Sequence, residues 1–460
     1  MLPVEYAVTT PVSHHFADRR VGQELAALSD ALELRDGDTE PPRDTTERYI
    51  YHSEADIAKS WTEEEQSQLA ALADTYNPEL VSLHLASRYQ EAEVRAGRYV
   101  GVGDPYDREV LLANAERNVE TVRELFGDIP VLVENNNHLG TDAYDVVTDA
   151  AFIKSVVNRT DIGFLFDIAH ANITAENTGR ELERYVSELP LDRCRQVHLS
   201  RQASGGQRAT DAHDFLRQED WEYFTTLQAN VPNLTYVTLE YYHDQTVLLD
   251  QLERMQHGTS ERILTPERWD SDHFGKQIAS LNCTPTTAEC LDYALVRCRE
   301  TGVDCLYFET SEQSERAAAV SRGFDAVDTR VVFEQTRNGF LDSKPSDRVR
   351  QWRESDVATL VDIAETVFET TRFYNDDDFR AELCDSLYAT WIRNACEGNA
   401  DEILVAVRDE TPVGFITCNL ENERGEIGLV GVATDGQGTG IGTALLNSAL
   451  HWFRLSIPGL

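Results

Sequence analysis

Short apolar runs recur along the first half of the chain, and most of them end on a residue that can hold a proton or a cation. The runs are ALEL (31–34), RYIYH (48–52), LVSLH (80–84), VLVE (131–134), GFLFD (163–167), RQVH (195–198) and YVTLE (236–240). Rich in Val, Leu, Ile, Phe and Tyr, they read as buried parallel strands. Their ends are separated by 18, 32, 50, 33, 31 and 42 residues. Most of these gaps fit one βα unit, and stretches such as 107–127 show the apolar spacing of a helix. Seven strands are assigned in this way and the eighth is left unplaced. A span of about 250 residues then predicts an α/β fold, a (β/α)8 TIM barrel over residues 1–258. The polar stretch QHGTSER (256–262) marks its end.

Beyond it the pattern changes. A helix ECLDYALVRCRETG, a strand CLYFET, a helix ERAAAVSRGF and a strand DTRVVFEQ predict a small α/β lobe over 259–340. A polar link, TRNGFLDSKPSD (336–347), follows. Helices DVATLVDIAETVF and SLYATWIRNACEG, strands EILVAV, PVGFITCNL and EIGLVGVA, and a last helix IGTALLNSALHWF assign 341–460 to a further α/β domain.

The strand ends carry the chemistry. His52, His84, Glu134, Asp167, His198 and Glu240 end six runs, while His170, Asp211 and His213 follow GFLFD and RQVH. In a parallel barrel the strand C-termini converge on one face, so these residues meet in space. Isolated buried carboxylates are too costly to be packing residues, which leaves mutual pairing or a cation. Carboxylate oxygens mixed with imidazole nitrogens suit divalent Mn, Fe, Co or Zn. Nine donors exceed what one ion can use, so two or three ions are expected, with Glu134 bridging. His14, His15, His138 and His243 are read as ordinary hydrogen-bonded histidines.

Here the sequence resembles a family. The segment 152–201, FIKSVVNRTDIGFLFDIAHANITAENTGRELERYVSELPLDRCRQVHLSR, with VSLHL, VLVENN and TLEYYHD, is similar to the multinuclear non-haem iron-dependent oxidative enzymes. That group includes the methanobactin-biosynthesis oxidase and lies within the xylose-isomerase-like barrel superfamily. The resemblance covers roughly residues 45–255. It implies the same nine residues as metal ligands, with Asn135 and Asn172 nearby in the site. It also implies iron as the favoured metal and a small-molecule or peptide substrate, usually a cysteine thiolate, that meets O2 at the cluster. In sugar isomerases and epimerases of the superfamily, the counterparts of Glu134 and Glu240 would be catalytic and exchange a proton. In endonuclease IV, a trinuclear site cuts a phosphodiester.

Composition narrows these readings. The formal charge is -40, from 81 acids against 41 bases, and only Lys59, Lys154, Lys276 and Lys344 are lysines. Such a surface repels phosphate backbones and anionic membranes, which argues against a nucleic-acid partner. Abundant acids with almost no lysine also resemble the proteins of halophilic organisms. The eight cysteines form no C-x-x-C pair, so neither a zinc ribbon nor a disulfide framework is expected. With no signal-like N-terminus and no run near the roughly 18 apolar residues of a membrane span, a cytoplasmic protein without a membrane partner is expected.

The second half offers its own motif. Gln437-Gly438-Thr439-Gly440-Ile441-Gly442 follows EIGLVGVA, which contains Val432, and opens a helix whose N–H groups can cradle a pyrophosphate. Q-x-x-G-x-G in that setting resembles the acetyl-CoA loop of GNAT acetyltransferases. With RWDSDHFGKQIA, SLYATWIRNACEG, PVGFI and IGLVGVA, the stretch 262–453 is similar to dTDP-fucosamine acetyltransferase, its first lobe ending at SRGFDAVDTRVVFE. The resemblance implies acetyl-CoA as cofactor, contacted by Val432 and the six loop residues. A full domain of that family continues with further strands and a helix bearing the usual general-acid tyrosine. The ending HWFRLSIPGL therefore predicts a GNAT-like α/β module lacking its last strands.

Overall fold

The computed structural model describes residues 6–37, 48–204, 206, 208–334, 344–421 and 424–457. The polar link expected at 336–347 lies for the most part outside the described residues. Among them, no helix is long and apolar enough to cross a membrane.

Eight parallel strands close into a barrel: β1 (Ala7–Pro11), β2 (Ala31–Arg35), β3 (Tyr49–Asp56), β4 (Val81–His84), β5 (Val131–Glu134), β6 (Gly163–Asp167), β7 (Cys194–Leu199) and β8 (Tyr236–Leu239). The unplaced strand is the first, β1, which pairs with both β2 and β8. Its sequence AVTTP breaks the apolar pattern because Thr9 turns into the barrel, where its hydroxyl lies 2.7 Å from that of Thr238.

Side chains alternate along each strand, and this sets the barrel interior in layers. Ala31, Ile50, Leu80, Leu132, Leu165 and Tyr236, with Ala7 beside them, form an apolar floor. Two residues further along each chain, the same face carries Thr9, Glu33, His52, Ser82, Glu134, Asp167 and Thr238, and β7 adds Gln196 and His198. All nine are buried. Two hairpins rise beyond the strand ends. One, Glu91–Arg95 with Arg98–Val102, follows β4, and the other, Arg201–Ala203 with Thr210–Asp214, follows β7.

The chain divides into two compact units. The first holds the barrel together with residues 278–322, so the stretch 259–340 is shared between the units rather than standing as a lobe of its own. Here β9 (Leu264–Pro266), β10 (Ile278–Leu281) and β11 (Cys305–Tyr307) make a small mixed sheet. Side chains of the helix that follows β10 explain the attachment: Tyr293 is fully buried, its hydroxyl donates to Asp250 at 2.7 Å, and its ring packs edge-on against Phe215. At the start of this segment Cys283 and Cys290 form a disulfide, contrary to the expectation of none. Cys283 sits in the loop after β10 and Cys290 in the first turn of the next helix, and the turn between them brings their Cα atoms to 6.9 Å.

The second unit comprises 267–277 and 323–460. Its antiparallel sheet runs β12 (Val349–Gln351), β13 (Glu402–Arg408), β14 (Thr411–Glu421) and β15 (Arg424–Val432). The helix Ile441–Ser456, here α1, lays Ile441, Leu445, Ala449 and Phe453 on this sheet against Leu404, Val413 and Ile416. On the side of this unit formed by 267–277, Phe274 packs against Phe373 and Phe379 with ring centroids 5.3 and 4.6 Å away.

Candidate metal centre

All nine residues singled out at strand ends come together at the C-terminal mouth of the barrel, around a cavity of about 370 Å³ lined among others by His52, His84, Glu134, His170, Asp211, His213 and Glu240. They fall into three overlapping sets. His52, His84 and Glu134 place ligand atoms within 4.8 Å of one another, and so do Glu134, Asp167 and His198. The third set is looser: Asp211 Oδ2 lies 3.0 Å from His170 Nε2 and 3.5 Å from His213 Nε2, and His213 Nδ1 lies 3.8 Å from Glu240. Glu134 belongs to both of these tight sets; Glu33, His198 and Glu240 make a further tight set, with Glu240 Oε1 3.3 Å from His198 Nδ1.

Neighbouring groups fix which nitrogen each imidazole turns inward. Ser82 Oγ donates to the Tyr51 carbonyl and bonds His52 Nδ1 at 2.9 Å, while His52 Nε2 bonds His84 Nε2 at 2.9 Å. His170 Nδ1 donates to the Asn135 carbonyl at 2.9 Å. Asn135 is itself held in place, exchanging hydrogen bonds with the Asp167 backbone at 2.9 Å in both directions. Histidines that bind metals are oriented in this way by a partner at the opposite nitrogen. Asn172, expected nearby, instead donates to Ile168 within its own helix.

Strand β2 supplies two residues that the sequence reading passed over. Glu33 is fully buried and accepts from His198 Nε2 at 3.0 Å and from Thr238 at 3.0 Å. Arg35 donates to Glu33 through Nε at 2.7 Å and pairs with both Glu33 and Glu240 through Nη2. The signal was present: a glutamate and an arginine at alternate positions of an otherwise apolar strand share one face.

The cluster strongly perturbs its own protonation: burial would lower His170 and His198, yet Asp167 and Glu134 raise the first, and Glu240 and Glu33 the second, well above the usual histidine range. Burial pushes Asp167 well above the ordinary aspartate range, and Glu240 and Glu134 push it further, against the pull of His170. For Glu240, burial is outweighed by His198 and Arg35, which hold it well below the usual range. Burial likewise lowers His52, with Arg35 adding to the effect. Glu134 Oε2, Asp167 Oδ2, His198 Nδ1, Asp211 Oδ1 and His213 Nδ1 are all buried without a hydrogen-bond partner among the described residues. A buried lone pair without a donor is costly. Unpartnered polar atoms gathered on one cluster of ligand-type side chains are what a cation would relieve, and the oxygen and imidazole donor set fits transition-metal ions. The remaining histidines have ordinary partners: His15 bonds to the Tyr242 carbonyl, His243 to the Ala212 carbonyl and His138 accepts from the Gly140 N–H, while His14 lies against the His15 ring.

In the second unit, the loop Gln437–Gly440 joins β15 to α1. Gly438 and Gly440 adopt φ of 73° and 84°, a region that side-chain-bearing residues avoid. Thr439 Oγ1 donates to the Gly436 carbonyl and Gln437 Nε2 to that of Val432, which closes the loop on itself. The first-turn N–H groups of α1, at Ile441 and Gly442, have no partner within the helix.

Residues 58–257 match the sequence model of the RiPP precursor modification enzyme family MbnB/TglH/ChrH, and residues 361–458 that of the acetyltransferase (GNAT) family. The chain joins an MbnB-like TIM barrel to a GNAT acetyltransferase domain. Eight of the nine candidate ligands lie within the first match; His52 precedes it. UPF0276 protein RB0508 of Rhizobium meliloti (strain 1021) is 30% identical over 134 residues, 29% of this chain and 42% of that protein. A UPF0276 protein of Caulobacter vibrioides (strain NA1000 / CB15N) is 29% identical over 147 residues, 32% of this chain and 51% of that protein. The chain thus spans about half the length of these curated relatives. The crystal structure of the 3-keto-D-glucoside 4-epimerase YcjR from E. coli in its apo form aligns over 55% of this chain and 98% of that one, with 14% identity and a TM-score of 0.37.

Proposed function

We propose that the barrel is a multinuclear metal enzyme, with iron favoured over Mn, Co or Zn, that oxidises a small-molecule or peptide substrate. One observation carries this reading: Glu134 stands in two of the three tight donor sets, at 3.1 Å from His84 and 3.4 Å from His198. A shared carboxylate between two triads suits adjacent ions, whereas a sugar isomerase of the single-metal kind has no use for so many donors. The description of the matching family, RiPP precursor modification, supports a peptide among the substrates.

In this reading His52, His84 and Glu134 hold one ion, Glu134, Asp167, His198 and Glu240 a second, and His170, Asp211 and His213 a third. When bound, the ions supply redox chemistry with O2 and open positions for the substrate. The protein does the rest. Ser82, the Asn135 carbonyl and Glu33 hold one nitrogen each of His52, His170 and His198 and aim the other at the cluster. Arg35 holds Glu240 ionised and in place, and the hairpin after β4 narrows the mouth to bulk water.

Metal analysis of the anaerobically purified chain tests the reading. Two or three irons per chain with substrate-dependent O2 uptake are expected. A single Mn, Co or Mg with sugar interconversion would replace it by an isomerase or epimerase.

The second unit binds acetyl-CoA, in this proposal, on the loop Gln437–Gly440 and the first turn of α1, beside Val432. Calorimetry with acetyl-CoA is expected to give one site per chain, lost in the Gly440→Val variant. An accessory role for the barrel, with acetyl transfer the whole activity, would require that metal removal leave acetyl transfer unchanged and reveal no other reaction.

A further inference from the structure

The cavity over the candidate metal centre has a second pole. The hairpin after β4 turns at Ala96 and Gly97, with φ of 50° and 73°, and places Arg98 in the cavity lining. The chain carries about two acids for each base, and most arginines of the barrel are paired. Arg35, the other guanidinium in the lining, is taken up by Glu33 and Glu240. Arg98 is half-buried and has no ion pair or side-chain hydrogen bond among the described residues.

The hairpin is anchored so that this guanidinium is presented in one place. Tyr99 N–H donates to Tyr144 Oη at 2.9 Å, and Thr141 Oγ1 donates to the Tyr99 carbonyl at 2.5 Å. Gly101 lies directly against the Tyr89 ring, where a Cβ would come within 2.4 Å, and Tyr89 Oη donates to Asp142 at 2.6 Å. These contacts clamp the strand Arg98–Val102 to the loop after β5, while the turn projects over the mouth.

We infer that Arg98 is an anion-recognising subsite, which binds a carboxylate or another planar anionic oxygen group of the substrate while its reacting end lies among the metal ligands. The fork of a guanidinium matches a carboxylate in two parallel hydrogen bonds, stronger than those of neutral pairs. No side chain among the described residues takes up this guanidinium, which leaves its fork open to a ligand. This rests on the metal-enzyme reading for the position of the reacting end, though not for the anion itself.

The test measures binding of three probes to the whole iron-loaded chain under anaerobic conditions: 3-mercaptopropanoate, 3-mercaptopropanol and butanoate. The acid is expected to bind about 10- to 100-fold more tightly than the alcohol, the range set by hydrogen bonds to a charged group. In Arg98→Ala that ratio should fall towards one with the alcohol unaffected, and Arg98→Lys should recover part of it. Butanoate should show the same dependence on Arg98 with or without metal. An acid preference that survives in Arg98→Ala, or its absence in the unaltered chain, overturns the subsite. Thiol binding that is indifferent to metal removal, with butanoate still dependent on Arg98, instead overturns the thiolate-at-metal reading and leaves the subsite standing.

Discussion

Glu33 accepts a hydrogen bond from Nε2 of His198 at 3.0 Å, and both side chains are fully buried. The bond fixes the proton on Nε2 and turns Nδ1 of the ring towards Glu134 and Glu240. Glu33 thus acts on the ions through His198. The variant Glu33→Gln keeps the shape and removes the charge, and metal affinity is expected to fall about 10- to 100-fold. A competition titration against a chromophoric chelator measures it; affinity equal to that of the unaltered chain would remove Glu33 from this role.

Sharing of Glu134 predicts a stoichiometric effect. Glu134→Gln should lose more than one ion per chain, because two donor triads are weakened at once. His213→Ala should lose at most one, since His213 contributes only to the looser set and its side chain is 31% exposed. Elemental analysis of the two purified variants side by side decides the matter, and equal losses would count against a bridging carboxylate.

The charge of -40 predicts a dependence on salt. Self-repulsion of a surface so acidic opposes the compact state. Raising KCl from about 0.1 M to about 1 M shortens the screening length from about 10 Å to about 3 Å. The thermal midpoint should therefore rise across this range, as followed by circular dichroism. A flat or falling midpoint would contradict it.

In the acetyltransferase domain, Asp356 is buried and accepts from both Nη atoms of Arg350, at 2.7 and 3.0 Å, and from the Arg353 N–H. The pair with Arg350 outweighs burial and lowers the Asp356 pKa. A depressed carboxylate stabilises the fold above its unfolded value of about 3.9 and loses that contribution as pH falls through its lower folded value. Acid unfolding of this domain should shift to higher pH in Asp356→Asn, and its stability near neutral pH should drop by about 2 kcal/mol. Denaturant titrations at pH 7 and at pH 3 measure both.

Gly440 sits at φ of 84° just before α1, with open space around its Cβ position. Gly440→Ala is therefore expected to cost about 1 kcal/mol through backbone strain alone. Acetyl-CoA affinity should fall with it if the loop must keep this conformation to present its N–H groups. Unaltered affinity in a destabilised variant would separate the loop's shape from cofactor binding.

Much of the barrel was legible because burial on both faces forces continuous apolar runs, and because a donor at the end of such a run has no packing explanation. What escaped notice escaped for the converse reason. β1 hides behind Thr9 and Thr10, polar residues that are nonetheless buried, Thr9 because it pairs with Thr238 inside the barrel. Glu33 lies within the run ALEL rather than at its end, and Arg35, the residue just after that run, pairs with it. The disulfide depends on the turn between Cys283 and Cys290, which a spacing of seven does not reveal. The attachment of 278–322 to the barrel depends on Tyr293 and Asp250, distant in sequence and unremarkable in either segment alone.

Asp211 and His213 differ from the other ligands in standing on the hairpin after β7 rather than on the barrel wall or the helix that caps it. Closure of the barrel brings the tight sets into register whatever this hairpin does. The third set exists only while the hairpin lies down across the mouth, with Asp211 against His170. In the proposed multinuclear reading, the number of ions held would therefore depend on a surface excursion, and could change without any revision of the barrel that carries it.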